Sequence, residues 1–414
     1  MNAILATLRA VRLPLLAAAA LAAGLGAQAR IEGITGPAFA LAARPGYITV
    51  PDGSVVYMWG YTAGATMQYP GPTLIVNEGD SVSVQLTNAL AVPTSIVFPG
   101  QVGVTAAGGV PGVLAREAPP GGTVTYSFVA ARPGTFTYYS GTRPELQTEM
   151  GLIGALIVRP AGFNVNDPAN RRAYGHAGSR YDYEYLFLLS EIDPVLHELV
   201  EFGQAAQVNF SHRWATIWLI NGRGGPDTLS ELNAAWLPTQ PYNCVPRTRP
   251  GEKVLARIVG AGRDLHPYHV HGNNAWAIAR DGVLQESAPG TGPDLAVSDF
   301  TFTSAPGQTI DALWEWTGAH MGWDIYGHSL GSPDPGSFHP LEVYAQTALP
   351  AGAGVGDITF NVPRATAKQF PRAFRAMLWD AGFANPDLAA NREVVTVQNT
   401  PGAGAASAHT FTVL

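Results

Sequence analysis

The sequence predicts an all-β protein: two Greek-key β-sandwiches in tandem, followed by a short C-terminal extension. Three observations carry this. Short runs of alternating apolar and polar residues recur along the chain, each bounded by turn residues. Glycine (47 residues) and proline (33) are spread through all 414 positions, which suits many short strands joined by turns. Turn and strand signals also recur in the same order in the two halves, as two copies of one unit would produce.

The first apolar stretch stands apart from the strands. Arg9 and Arg12 lead into an apolar run from Leu13 to Leu25, and Ala27-Gln28-Ala29 has the form of an export cleavage site. Residues 1–29 therefore read as a signal peptide, with the mature chain in the periplasm or outside the cell. The run is short and alanine-rich, unlike a bilayer span, and no later segment is apolar enough to be one.

Residues 30–160 read as the first sandwich. Tyr47–Val50 and Val55–Trp59 flank Pro51-Asp52-Gly53-Ser54, the chemistry of a hairpin turn. Thr73–Val76 and Ser81–Leu86 flank Asn77-Glu78-Gly79-Asp80 and read as a second hairpin. Thr123–Phe128, Gly134–Tyr139 and Leu152–Val158 complete the set, with the spacing of a Greek key. Residues 161–180 are polar and arginine-rich and read as a linker.

Residues 181–346 read as the second sandwich. Its strands are Tyr185–Leu189, Trp214–Ile220, Lys253–Val259 and Thr309–Trp316. Pro250-Gly251-Glu252 precedes Lys253 much as Glu78-Gly79-Asp80 precedes Ser81, and Ala305-Pro306-Gly307 echoes Pro120-Gly121-Gly122. Residues 347–414 form the extension, in which Ala367–Ala381 reads as a short amphipathic helix and Val394–Val397 and Thr410–Leu414 as strands.

Composition narrows the function. A net charge of -7 without a basic run argues against nucleic acid. Cys244 is the only cysteine, so no internal disulfide can form, and it reads as a buried apolar residue. The chemistry concentrates in His266-Pro267-Tyr268-His269-Val270-His271-Gly272, three imidazoles at metal-ligand spacing. On a strand His269 and His271 share a face, while His266 falls at odd spacing beyond Pro267, which should break the ladder. His266 can therefore serve a different site. Imidazole suits copper, zinc, iron and nickel. Glu145 and Glu149 read as solvated loop charges, and His197 as a surface position on a helical stretch.

These motifs together resemble the multicopper oxidases. The resemblance spans roughly Tyr47 to Tyr344 and rests on Pro70-Gly71-Pro72-Thr73, Glu78-Gly79-Asp80, Thr94-Ser95-Ile96, Pro133-Gly134-Thr135 and Gly151–Val158. In the second half it rests on Asn221-Gly222, Ala261-Gly262-Arg263-Asp264-Leu265 before the histidines, and Ala305-Pro306-Gly307-Gln308. The resemblance implies cupredoxin-like sandwiches. The family holds one electron-accepting copper and a three-copper cluster with four paired-histidine motifs, and three of the four are altered here. Val97-Phe98-Pro99 stands for His-Trp-His, Tyr139-Ser140-Gly141 for His-Ser-His, and Tyr326-Gly327-His328 for His-Cys-His. A blue copper needs a Cys thiolate that Gly327 cannot supply, so no blue centre is expected.

His269, His271 and His328 remain for one mononuclear copper site, with His266 apart. Two functions stay open: an exported copper-binding or redox accessory protein, and a metal-free relic that binds a partner. An active copper-dependent oxidoreductase of the family type is a third. The resemblance further implies a homo-oligomer, a trimer above all, in which Val97, Phe98, Pro99, Tyr139 and Gly141 turn an apolar face to a neighbour. The extension offers a surface for a protein partner.

Overall fold

A computed structural model describes residues 31–225, 227–244, 246, 252–270 and 274–315. It also describes the backbone of three later strands, Asp357–Ala365, Arg375–Trp379 and Arg392–Pro401. The expected signal peptide over residues 1–29, His271 and His328 lie outside the described residues.

The all-β expectation holds. In the first half the strands are β1 (Ile34–Thr35), β2 (Ala38–Thr49), β3 (Val55–Thr62), β4 (Leu74–Asn77), β5 (Ser81–Asn88), β6 (Thr105–Gly108), β7 (Thr123–Val129), β8 (Gly134–Tyr139) and β9 (Ile153–Arg159). They form a five-stranded sheet, β3-β2-β5-β7-β6, facing a four-stranded one, β1-β4-β9-β8. The hairpin at Pro51–Ser54 forms, with Thr49 opposite Val55. The second expected hairpin does not. β4 pairs with β1 and β9, whereas β5 pairs with β2 and β7, so the turn at Asn77–Asp80 carries the chain from one sheet to the other. Alternation alone cannot separate a hairpin from such an arch, because both put apolar residues on one face. Backbone bonds from Glu78 to Arg159 and from Gly79 to Ala130 decide it, with Gly79 at φ +88.

The second half contains β10 (Tyr183–Ile192), β11 (Ile217–Ile220), β12 (Lys253–Gly260), β13 (His266–His269), β14 (Ala275–Arg280), β15 (Val283–Leu284), β16 (Val297–Asp299), β17 (Thr301–Ser304) and β18 (Thr309–Glu315). All but β13 and β17 join one sheet, and those two pair as a separate ribbon. β12 lies parallel to β10 and antiparallel to β18, just as β5 lies parallel to β2 and antiparallel to β7. The recurring turn signals thus mark equivalent strands.

Gly151-Leu152-Ile153-Gly154-Ala155-Leu156-Ile157-Val158 has no polar residue because β9 is covered on both faces. Leu152, Leu156 and Val158 enter the first core, while Ile153, Ala155 and Ile157 meet Leu186, Leu188 and Val259 of the second half. β10 does the same, with Phe187 and Leu189 turned into the second core. Buried charge also crosses this junction. Arg159 and Arg257 share Glu184, while Arg257 reaches Thr135 at 2.9 Å and Asp311 at 3.4 Å. The 161–180 segment packs here too: Ala173 is buried, and the Tyr174 hydroxyl donates to Asp311.

In the extension, the helix expected over Ala367–Ala381 is corrected. Arg375–Trp379 is a strand, β20, antiparallel to β21 (Arg392–Pro401), which also pairs with β19 (Asp357–Ala365). Sheet pairing overrides the local helical pattern. The expected strand at Val394–Val397 falls within β21. Thr410–Leu414 lies outside the described residues.

Candidate metal centre

β13 presents the first histidines. It runs antiparallel to β17, with His266 opposite Ser304 and His269 opposite Thr301. Pro267 lies within this strand rather than ending it. β13 pairs only with β17 among the described residues, and a proline is tolerated on such an edge. The odd spacing sends His266 inward and His269 outward.

His266 is 7% exposed and sits edge-on to the Trp218 ring at 5.3 Å. Its Nε2 lies 2.6 Å from Glu191 Oε2. The other Glu191 oxygen accepts from the backbone N–H of Arg263 (2.6 Å) and Asp264 (3.0 Å) and from Arg213 (2.6 Å). Burial works against ionising Glu191. The hydrogen bonds from His266 and the Arg263 backbone, with the charge of Arg213, outweigh it and hold the carboxyl below its ordinary range. A carboxylate only accepts, so the shared proton sits on Nε2 and a neutral His266 keeps its lone pair on Nδ1. A carboxylate on one ring nitrogen is the usual setting of a metal-binding imidazole, so this chemistry fits a ligand role at Nδ1.

The sequence motif Ala261-Gly262-Arg263-Asp264 has its explanation here. A Cβ on Gly262 would fall 1.8 Å from Glu191 Oε2, so only glycine lets the carboxylate settle onto the turn.

Arg213 extends the cluster. Its Nε donates to Glu149 Oε2 at 2.7 Å, and Glu149 Oε1 accepts from the Asp193 backbone at 3.1 Å. Asp193 caps the helix Pro194–Glu201 through Val195 N and Leu196 N. Within that helix His197 is 1% exposed, its Nδ1–H donating to the Tyr57 carbonyl. Two expectations are corrected. His197 is buried rather than on the surface, and Glu149, 5% exposed, is an ion-pair partner rather than a solvated charge. The signal for His197 was present: it lies beside Leu196 and three residues before Val200, on the helix's buried face. Glu149 left no such signal, because Arg213 lies 64 positions away. Burial raises the Glu149 carboxyl despite Arg213 and lowers the His197 imidazole to about 4.

His269 is exposed, its Nδ1 2.8 Å from the Thr301 hydroxyl and its ring edge-on to Phe300 at 5.7 Å. Among the described residues no group of three or more His, Cys, Asp or Glu could hold a metal ion. His271 and His328, which the sequence joins to His269, fall outside them. Cys244 packs beside Tyr268 against the second core, and burial pushes its thiol up to about 12. Of the altered positions, Val97 and Tyr139 exchange backbone hydrogen bonds and bring the first two changed motifs side by side.

Comparison with known proteins agrees with this architecture. A profile of the multicopper oxidase family matches residues 47–162. An L-ascorbate oxidase of Brassica rapa subsp. pekinensis is 32% identical over 188 residues, 44% of this chain and 30% of that protein. Copper resistance protein A of Pseudomonas syringae pv. tomato is 26% identical over 239 residues, 51% of this chain and 37% of that protein. The chain thus spans about a third of the length of these curated relatives. Among solved structures, a multicopper oxidase, mgLAC, superposes with a TM-score of 0.51 at 23% identity, covering 67% of this chain and 75% of the other. A blue copper oxidase from Nitrosomonas europaea gives 0.50 at 22% identity, covering 67% and 74%. At these identities the superpositions speak for the fold. Among the described residues no helix is long and apolar enough to cross a membrane.

Proposed function

We propose that this chain, which matches the multicopper oxidase family over residues 47–162 and is similar to an L-ascorbate oxidase over 188 residues, is an exported copper-binding or redox accessory protein rather than a four-copper oxidase. It holds one copper ion through His269, His271 and His328. The observation that carries this is the change of three of the family's four histidine motifs around one that is kept, with Gly327 where the thiolate ligand belongs. The outward placement of His269 at the end of β13, two residues before His271, supports it. Copper bound by imidazoles without a thiolate would supply a slow one-electron couple or a transport site. His269 brings a ring oriented by Thr301, and His266 stays apart, anchored on Glu191.

A second reading, a metal-free partner-binding protein, is favoured by the apolar replacement of the first-domain ligands at Val97, Phe98 and Pro99. Metal analysis of protein purified after export, with and without added copper, separates the two. One copper per chain, lost when His269→Ala and His271→Ala are combined, is the expected result. Unchanged copper in the double variant moves the site elsewhere, and no copper under either condition leaves the metal-free reading.

A further inference from the structure

The ribbon of β13 and β17 places a hydroxyl on one nitrogen of His269. Its ladder sets Thr301 directly opposite His269. Opposed residues of an antiparallel pair share a face, with Cβ atoms about 5 Å apart. The Thr301 hydroxyl accordingly lies 2.8 Å from His269 Nδ1. Phe300 meets the same ring nearly at right angles, its plane turned by 86° and its centroid 5.7 Å away. The ring is thus held from two sides before any ion arrives. We propose that Thr301 is a positioning residue for the metal site: it accepts the Nδ1 proton of His269 and so presents the Nε2 lone pair to the ion. This rests on the copper reading above and adds to it the atom through which His269 acts.

Physical chemistry gives that hydrogen bond its direction. A neutral imidazole carries one proton, and the nitrogen that binds a metal must keep its lone pair. Nδ1 is engaged by Thr301, so coordination falls to Nε2 and the proton to Nδ1, which donates to Oγ1. This is the usual arrangement of a metal-binding histidine, whose second ring nitrogen donates to a neighbouring oxygen that fixes the tautomer and the ring orientation. Threonine suits the task. It is β-branched, so a strand position restricts its χ1, and the backbone aims its hydroxyl. Motif spacing gave no sign of this partner, because Thr301 lies 32 positions beyond His269. His266 offers the contrast. It is anchored through Nε2 on Glu191, so the two imidazoles of one strand use opposite nitrogens for their anchors.

Nitrogen-15 NMR of the full chain, labelled at histidine and assigned by comparison with His269→Gln, reads the tautomer without any metal. It is recorded at about pH 8, where an imidazole is neutral. The wild type should show His269 with its proton on Nδ1. Thr301→Val keeps the shape and removes the hydroxyl, and it should move the proton to Nε2, the form a free imidazole prefers. Thr301→Ser should restore Nδ1–H, which a merely structural role for the side chain would not require. Copper(II) affinity of the same proteins, measured by competition with a chelator, supplies the second readout. Thr301→Val should bind copper about tenfold to a hundredfold more weakly than the wild type, with Thr301→Ser recovering most of the loss. A proton on Nε2 in the metal-free wild type overturns the role of Thr301. So does the same tautomer in the wild type and Thr301→Val, or equal copper affinity in the two. A wild type that takes up no copper overturns the metal reading itself, and the role of Thr301 with it, so the two failures are told apart.

Discussion

His197 shows how burial converts an ordinary side chain into a pH-dependent one. The ring is sealed between Tyr57 and Glu149, with its Nε2 lacking a hydrogen-bond partner among the described residues. Burial disfavours the imidazolium, lowering the pKa from 6.5 to about 4. In that interval the unfolded chain binds the extra proton and the folded chain does not, so stability is full above pH 6.5 and falls as the pH drops toward 4. The loss should total about 3 kcal/mol. His197→Gln removes the titrating group. Urea unfolding across this window should therefore show a wild-type decline of that size relative to the variant. Parallel curves for the two proteins would show that His197 is not the group responsible. The raised Glu149 carboxyl runs in the opposite sense, which is why the comparison is made against the variant rather than across pH alone.

Among the elements, β8, β9, β10, β12 and β18 meet around charge rather than only around hydrocarbon. Glu184 lies between Arg159 and Arg257, and Asp311 between Arg257, Thr135 and Tyr174, all of them buried or nearly so. Glu184 keeps its ionised form against burial because the two guanidinium groups lower its pKa. Such a set is costly to break on one side, since the remaining carboxylates stay buried. Arg257→Met keeps the stem and removes the charge, and it should lower the unfolding free energy measured in urea by about 3–5 kcal/mol. A cost under about 1 kcal/mol would mean that water reaches the set and screens it. The strands themselves were legible. Leu152–Val158 was legible as a strand though not as one buried on both faces, and the echoes at Pro250-Gly251-Glu252 and Ala305-Pro306-Gly307 announced equivalent strands in the two halves. The arch between β4 and β5 was not legible, because the partner strands β9 and β2 lie far off along the chain.

For the whole molecule, copper loading should produce no intense thiolate-to-copper band in the visible spectrum. Gly327 offers no sulfur, and the Cys244 thiol, pushed up to about 12 by burial against the second core, stays protonated at neutral pH. An intense band in copper-loaded protein, lost in Cys244→Ser, would place a thiolate on the metal and overturn this. What the sequence by itself determined was the class of fold, the resemblance to the multicopper oxidases, and which histidine motif is kept and which are altered. These depend on local alternation, turn chemistry and residue type, which adjacent positions carry. The tertiary structure alone decided that Glu191 anchors His266, that Arg213 gathers Glu149 and Glu191, and that Val97 and Tyr139 border one cleft. Those partners stand tens of residues apart, and a charge or a ring becomes a partner only when packing has excluded water and brought the two together.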